Sequence, residues 1–323
     1  MFNITQSTMD LSKNHSVQSE EFGSLNQKKI CVIILYWNSF SDTKNCIDSL
    51  LMDSKASHRI ILVNNGSDNG SSELLHQWLE QQPGISINSI EYSLEKGFQK
   101  MLSSEDISQR VIESINIDRN LGFAGGNNVG IEYALDRFGP DYIVLANNDT
   151  IIESGVISEL TKRMDIERTI GVAGPTIIWT TRISRLHKSD IYVNAAHPVD
   201  TDISGCFMII RKEVFDKAGR FDNDFFLYFE ETDFFRRVRK NCYRVVLIPT
   251  KTKVLHKSSG SISMIGYKSL FHLGRSGMIY WRKNHSLEFF NFFTSVIINS
   301  VILRIDFKGI KSLLQGIIAG LES

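Results

Sequence analysis

Along the first half of the chain, short runs of apolar and β-branched residues alternate with segments whose apolar positions recur every three or four residues. Ile30 to Tyr36 is one such run, closed by Trp37-Asn38-Ser39, and Thr43 to Met52 follows with helical spacing. The unit repeats as Arg59 to Val63, the turn-rich stretch Asn64 to Gly70, and the amphipathic segment Ser72 to Gln81. Ile85 to Ser89 reads as an edge strand, Tyr92 to Glu113 as a polar insertion with weak helical signals, and Ile115 to Ile117 as a strand. A glycine-rich loop from Asn120 to Gly126, a helix from about Asn128 to Phe138 and the strand Tyr142 to Ala146 complete this half. Alternating strands and helices predict an α/β domain on a mostly parallel sheet, with ligand loops at the carboxyl ends of the strands.

The second half is less regular. Val156 to Met164 reads as a helix and Val172 to Ile178 as a strand, and the polar stretch Thr180 to Ser204 reads as a mobile loop on the substrate side. Gly205 to Arg211 and Arg244 to Ile248 read as strands, Lys212 to Ala218 and Thr232 to Lys240 as helices, and Tyr267 to Ser323 as a helical region. The first 28 residues are rich in Ser, Asn and Gln and lack the apolar run of a secretory signal, so they are expected to be a disordered lead-in. The expected organisation is therefore 29–262 as the main domain, split into 29–150 and 151–262, followed by 263–323.

Charge narrows the class. Lys plus Arg and Asp plus Glu both number 36, so no excess charge recommends nucleic acid, and any phosphate must be met by a local arrangement. Four cysteines lie without metal-type spacing, which argues for a reducing, cytoplasmic setting. Neither GxGxxG nor GxxxxGK[ST] occurs, which weighs against a dehydrogenase or a P-loop enzyme.

Four features carry candidate chemistry. Asp149 follows a buried strand, where a carboxylate can hold a hard divalent cation such as Mg2+ or Mn2+ together with diphosphate oxygens; it can equally cap the next element. The loop Asn120 to Asn128 opens a helix, so its backbone N–H groups can meet an anion, unless it is an ordinary glycine-rich turn. Between aromatics stand Glu230, Glu231 and Asp233, acids that can serve as a general base or merely complement the helix dipole opposite Arg236, Arg237 and Arg239. His256 ends a β-rich stretch before Lys257-Ser258-Ser259-Gly260-Ser261, where an imidazole can complete a metal site or simply pack.

In order, these stretches resemble the inverting glycosyltransferase family 2, above all its rhamnosyltransferase-like bacterial members, over roughly Lys29 to Ser261. Asn120-Leu121-Gly122-Phe123-Ala124-Gly125-Gly126-Asn127-Asn128-Val129-Gly130 is similar to the family's N-x-G-F-x-x-G-x-N-x-G loop at each fixed position. Asn147-Asn148-Asp149 resembles the degenerate DxD element, Gly205 to Asp233 the acceptor-side segment, and His256 with Ser259-Gly260-Ser261 the terminal H-x-x-x-G-S element. The resemblance implies a GT-A-type Rossmann-like sandwich plus a C-terminal helical segment. It implies Asn38, Asn65, Asp68, Asn120, Gly122, Gly125, Asn127 and Asn148 around the nucleotide sugar, Asp149 and His256 on the metal, Glu231 as base and Asp233 in support. It implies a nucleoside-diphosphate sugar donor, dTDP-rhamnose or a UDP-sugar, and a glycan or lipid-linked glycan acceptor in cell-surface polysaccharide or O-antigen synthesis.

The sequence departs from the family where Val63-Asn64-Asn65-Gly66-Ser67-Asp68-Asn69 stands for V-D-N-x-S-x-D, with Asp68 one residue early, and where Asn147 holds the first DxD position. A sugar-nucleotide-binding protein without activity and a sugar-1-phosphate nucleotidyltransferase are the rival readings; the retained acids and histidine oppose the first, and the lack of an early basic, glycine-rich loop opposes the second. Leu287 to Leu303 is nearly long enough to span a bilayer, but its interspersed polar residues favour a helix at the membrane surface, flanked by Arg282, Lys283, Lys308 and Lys311, or one packed on protein, including a second subunit. The expected location is the cytoplasm or the inner face of the plasma membrane.

Overall fold

The computed structural model describes residues 28–100, 110–180, 197–257, 266–285 and 307–323. Most of the lead-in, most of the Thr180 to Ser204 stretch, Ser259 to Ser261 and the apolar segment Leu287 to Leu303 lie outside the described residues.

Seven consecutive apolar or β-branched residues make β1 (Ile30–Tyr36), and a run without polar alternation requires cover on both faces. That cover exists. Val32, Ile34 and Tyr36 join a core with α1 (Phe40–Leu51), α2 (Ser71–Glu80) and α4 (Val156–Ile166), whereas Cys31 and Ile33 join a second core with α3 (Gly122–Phe138), α5 (Lys212–Ala218) and α6 (Glu230–Lys240). The layers are helices, sheet, helices.

The sheet has ten strands, in the order β10-β12-β8-β11-β6-β1-β2-β5-β3-β4. Its centre is a parallel run of β6 (Tyr142–Asn147), β1, β2 (Arg59–Asn65), β5 (Arg110–Ile117) and β3 (Ile85–Ser93). β4 (Gly97–Lys100) pairs antiparallel with β3, β11 (Phe207–Arg211) antiparallel with β6 and with β8 (Ile170–Gly174), and β10 (Val199–Asp200) antiparallel with β12 (Arg244–Leu247), while β12 runs parallel to β8. Because the chain leaves β1 toward β2 and later returns on the other side as β6, the strand order switches direction between β1 and β6. A crevice for ligand opens at such a point, beyond the strand ends.

Several elements differ from the sequence expectation. Ile85 to Ser89 is not an edge: β3 runs on to Ser93 and is flanked by β5 and β4. Within the stretch Tyr92 to Glu113, expected as a polar insertion with weak helical signals, the described residues form the end of β3, β4 and the start of β5. The single strand expected from Val172 to Ile178 is two, because Gly174-Pro175-Thr176 separates β8 from β9 (Ile177–Trp179). β9 belongs to a second, three-stranded sheet with β7 (Thr150–Ile152) and β13 (Val254–His256), in the order β7-β13-β9. The strand β7, not a helix, follows Asp149.

Two C-terminal helices, α7 (Lys268–Asn284) and α8 (Phe307–Glu322), pack on one another through Gly274, Gly316 and Gly320; a Cβ at Gly274 would lie 2.5 Å from the Leu313 carbonyl oxygen. α7 in turn packs on residues 222–229. Phe226 stacks on His272 at 4.5 Å, Phe229 stacks on Tyr280 at 5.8 Å, and Ser276 donates to the Leu227 carbonyl at 2.8 Å. Among the described residues no helix is long and apolar enough to cross a membrane.

Candidate active site

Three chain segments meet beyond the carboxyl ends of β1 and β6. The first is the turn after β6. Asn148 is buried and donates to Thr43 Oγ1 on α1 at 3.0 Å, and Thr150 Oγ1 donates to the Asn147 carbonyl at 2.7 Å. These bonds fix the turn and set the direction of Asp149. The second is β13, whose His256 lies in register with Thr150 on one side and Trp179 on the other; Lys257 N–H donates to the Asp149 carbonyl at 3.0 Å. Strand pairing therefore brings the imidazole to the aspartate.

His256 Nε2 is 2.9 Å from Asp149 Oδ1, yet it makes no aligned hydrogen bond. Two ligands at right angles, each about 2.1 Å from a divalent ion, stand roughly 3.0 Å apart. Spacing, donor types and burial thus fit a shared cation. Among the described residues no group of three or more His, Cys, Asp or Glu side chains is arranged to hold a metal, so the remaining ligands would come from diphosphate and water. Burial, the largest single influence on His256, would lower its pKa, but the Cys206 sulfur and the Asp149 carboxylate outweigh it and lift the imidazole to about 10. Trp179 closes the other side with an edge contact at 4.8 Å.

The third segment is the strap Ser204-Gly205-Cys206 ahead of β11. Asn147 N–H donates to the Cys206 carbonyl at 2.8 Å, and the Cys206 side chain touches His256. One residue earlier, a Cβ on Gly205 would lie 3.4 Å from Glu231 Oε1. Since neighbouring Cα atoms are about 3.8 Å apart, the Glu231 carboxyl and the Asp149–His256 pair flank the same two residues. In the sequence Gly205 and Cys206 open a strand and the acceptor-side segment, and nothing in their residue types marks them as the hub.

Glu231 reaches this hub because of what precedes α6. Tyr228 and Phe229 have φ of 70° and 68°, the left-handed region that bulky side chains seldom occupy. They turn the chain so that α6 begins at Glu230, two residues before the expected Thr232. Glu230 is 4% exposed, Glu231 is partly open, and each has one wholly buried carboxyl oxygen without a hydrogen-bond partner. Burial raises the pKa of both, and the charge of Glu231 raises Glu230 further. Asp233, by contrast, accepts from Arg237 Nε at 2.8 Å, and Arg237 also donates to the Ala218 carbonyl. The pair locks α6 to the end of α5; Arg237 is engaged with protein groups.

The glycine-rich segment is organised differently from an anion cradle. α3 starts at Gly122, not near Asn128, so most of the segment is helix. Its first N–H groups are already taken: Leu121 donates to Asn65 Oδ1 at 2.9 Å, Gly122 to Asn120 Oδ1 at 2.8 Å, and Phe123 to the Phe226 carbonyl at 2.8 Å. Asn65 also gives its amide to Asn120 Oδ1 and the Gly122 carbonyl, both at 3.0 Å, so Asn65 and Asn120 weld β2 to α3 from within. Asn127 donates to the Phe123 carbonyl one turn back, and Asn128 bridges to the Phe221 carbonyl and Asn223. The glycines serve close approach. A Cβ at Gly130 would lie 2.7 Å from Ile33 Cγ2, one at Gly126 2.5 Å from Leu35 Cδ1, and one at Gly125 2.8 Å from Leu121 Cβ. Gly122 has φ of +75° and rests directly on the Phe226 carbonyl.

At the rim, Asn38 and Asp68 form a reciprocal pair. Asn38 Nδ2 donates to Asp68 Oδ1 at 2.8 Å, and Asp68 N–H donates to Asn38 Oδ1 at 2.9 Å. Asn64 accepts from Ser67 N–H and donates to Asn116, which donates to Glu91. The asparagine that replaces the expected aspartate is thus tied to β5 and through it to β3, leaving Asp68 as the exposed acid on the loop after β2.

No family model matches the sequence. The low-salt glycan biosynthesis hexosyltransferase Agl10 of Haloferax volcanii is 26% identical over 235 residues, covering 65% of this chain and 62% of that protein. The dTDP-rhamnosyl transferase RfbF of Shigella flexneri is 26% identical over 192 residues, covering 54% and 64%. The matches thus span less than two thirds of the length of each of these curated relatives. Among solved structures, the mannosyltransferase PcManGT from Pyrobaculum calidifontis, in complex with GDP-Man and Mn2+, superposes with a TM-score of 0.55 at 11% identity over 92% of this chain and 87% of its own. The layers, the sheet order and this likeness together identify the fold: the chain is built on the GT-A architecture of glycosyltransferases.

Proposed function

We propose that the protein is an inverting glycosyltransferase that moves a hexosyl group from a nucleoside-diphosphate sugar to an acceptor hydroxyl. The observation that carries this reading is the meeting of Asp149, His256 and Glu231 around Gly205 and Cys206 at the switch point of the sheet. Two relatives whose names describe hexosyl and dTDP-rhamnosyl transfer support it.

In this reading Asp149 and His256 hold a divalent cation, Mg2+ or Mn2+, which when bound neutralises charge on the departing diphosphate. Asn38 and Asp68 line the nucleotide end of the crevice, and the buried Asn148 keeps the Asp149 turn in place. Glu231 accepts the acceptor hydroxyl proton as the oxygen forms a bond to the anomeric carbon. The bond from that carbon to the diphosphate breaks on the opposite face, and the nucleoside diphosphate leaves with the electron pair. Asp233 acts through Arg237 to hold α6, and with it Glu231, in position. A dTDP- or UDP-linked sugar is the donor and a surface glycan or its lipid-linked precursor is the acceptor, which places the protein in cell-surface polysaccharide synthesis. The helix pair α7–α8 faces the membrane that carries such a precursor.

Glu231→Gln tests the assignment of the base. Turnover should fall by about 10²–10⁴-fold, with donor binding by calorimetry little changed. The product anomer, read by NMR, should be inverted relative to the donor; unchanged turnover or retained configuration would refute the mechanism.

A further inference from the structure

Glu230 has no role in the scheme above, yet it is the most enclosed acid of the cluster. It is 4% exposed, and its Oε2 is wholly buried without a hydrogen-bond partner. Adjacent positions on a helix point about 100° apart, so neighbouring side chains rarely meet. Here they do: the carboxyls of Glu230 and Glu231 touch in the first turn of α6. The left-handed pair Tyr228–Phe229, held by the Phe229–Tyr280 and Phe226–His272 stacks, sets that first turn. Among the described residues the titratable groups facing the pair are Tyr228, just ahead of the helix, and Asp202, beyond the strap and itself paired with Arg239; neither supplies a positive charge. Two carboxylates in contact and buried, with no cationic side chain against them among the described residues, cannot both be ionised at low cost.

We propose that Glu230 is a positioning residue for the base: its neutral carboxyl donates a hydrogen bond to the Glu231 carboxylate and holds it toward Gly205. The inference rests on Glu231 being the base. The division of roles follows from access, since Glu231 borders the strap through Oε1 whereas Glu230 is enclosed. It follows also from the two environments: each carboxyl receives its own backbone N–H and each is raised by burial, but the charge of Glu231 bears in addition on the more enclosed Glu230, so the shared proton rests there. A proton held on Glu230 keeps Glu231 free to take the acceptor's proton.

The test compares Glu230→Gln and Glu230→Leu with the unaltered protein in the pH dependence of kcat/KM for donor consumption. The amide can still donate, so E230Q should keep the acid limb where the unaltered protein has it. Leucine cannot donate, so E230L should move that limb up by about one pH unit. A limb that stays put in both variants, or moves alike in both, would overturn the proposal. Infrared spectra give a second measurement that needs no turnover and no E230L: a protonated-carboxyl stretch should be present at neutral pH in the unaltered protein and missing from E230Q. Absence of that band from the unaltered protein would also overturn it. Lack of donor consumption by the unaltered protein would instead count against the transferase reading, leaving the infrared result to decide the role of Glu230.

Discussion

The side chains that matter most here stand beside groups that leave them partly unsatisfied. Glu230 and Glu231 have carboxyl pKa values raised by burial, so the folded state binds their shared proton more tightly than the unfolded chain does. The sign follows: their contribution to stability is fully present below the ordinary carboxylate range and is lost as pH rises through the raised values. Glu230→Gln removes the group that must ionise. Its thermal midpoint should therefore exceed that of the unaltered protein by a margin that grows from acid to alkaline pH; a constant margin would contradict the buried acid pair. His256 gives the complementary case. With its pKa lifted to about 10 in the metal-free protein, the imidazole must lose a proton to bind a cation, so Mn2+ affinity measured by calorimetry should rise with pH across the neutral range. Flat affinity would mean that His256 is no ligand. Asp149 and His256 were legible in the sequence as candidates because the first follows a buried apolar run and the second closes a β-rich stretch. The Glu230–Glu231 contact was not, because i, i+1 neighbours on a regular helix diverge and nothing in Tyr228 or Phe229 announces a left-handed backbone.

At the scale of elements, β1, β2, β6 and α2 were legible from period and composition alone, since each has flanking turns and a clear apolar pattern. The start of α3 was hidden because glycine is a poor helix former; tertiary contact overrides that preference, as Gly126 and Gly130 let the helix lie against Leu35, Ile33 and Val63. β4 was hidden because four residues give too little pattern to distinguish a strand. Gly122 joins α3 to the loop that precedes the acids. Gly122→Ala imposes a side chain at φ of +75° and on the Phe226 carbonyl, so denaturant unfolding should show a loss of about 1–3 kcal/mol. Activity should fall further than stability explains, because Tyr228 and Phe229 shift with Phe226. Gly316→Ala forces α8 off α7 at the Phe271 carbonyl, and should loosen the stacks on Phe226 and Phe229 in the same way.

For the whole molecule, the sheet's change of direction between β1 and β6 gathers segments from distant parts of the chain at one crevice, and α7 braces the segment that supplies the acids. Alternating strands and helices foretold the architecture; they could not foretell the second sheet, whose three short strands bring His256 to Asp149. On the far side of the helix pair, Phe307, Leu314, Ile318 and Leu321 are 81%, 51%, 55% and 51% exposed and fall within about 60° of arc on α8, with Lys308 and Lys311 beside them. Apolar and cationic groups together suit an anionic lipid surface. The protein should co-float with vesicles containing anionic phospholipid, and L314E/I318E should not; equal flotation of both would contradict that assignment. Sugar transfer at the Asp149–His256–Glu231 site is tested by incubating the unaltered protein and Asp149→Asn with a panel of nucleotide sugars and Mn2+, and measuring release of nucleoside diphosphate. The unaltered protein should consume at least one donor, chelation should stop it, and Asp149→Asn should release little; no release from any donor, or equal release by both proteins, would rule out transfer at this site.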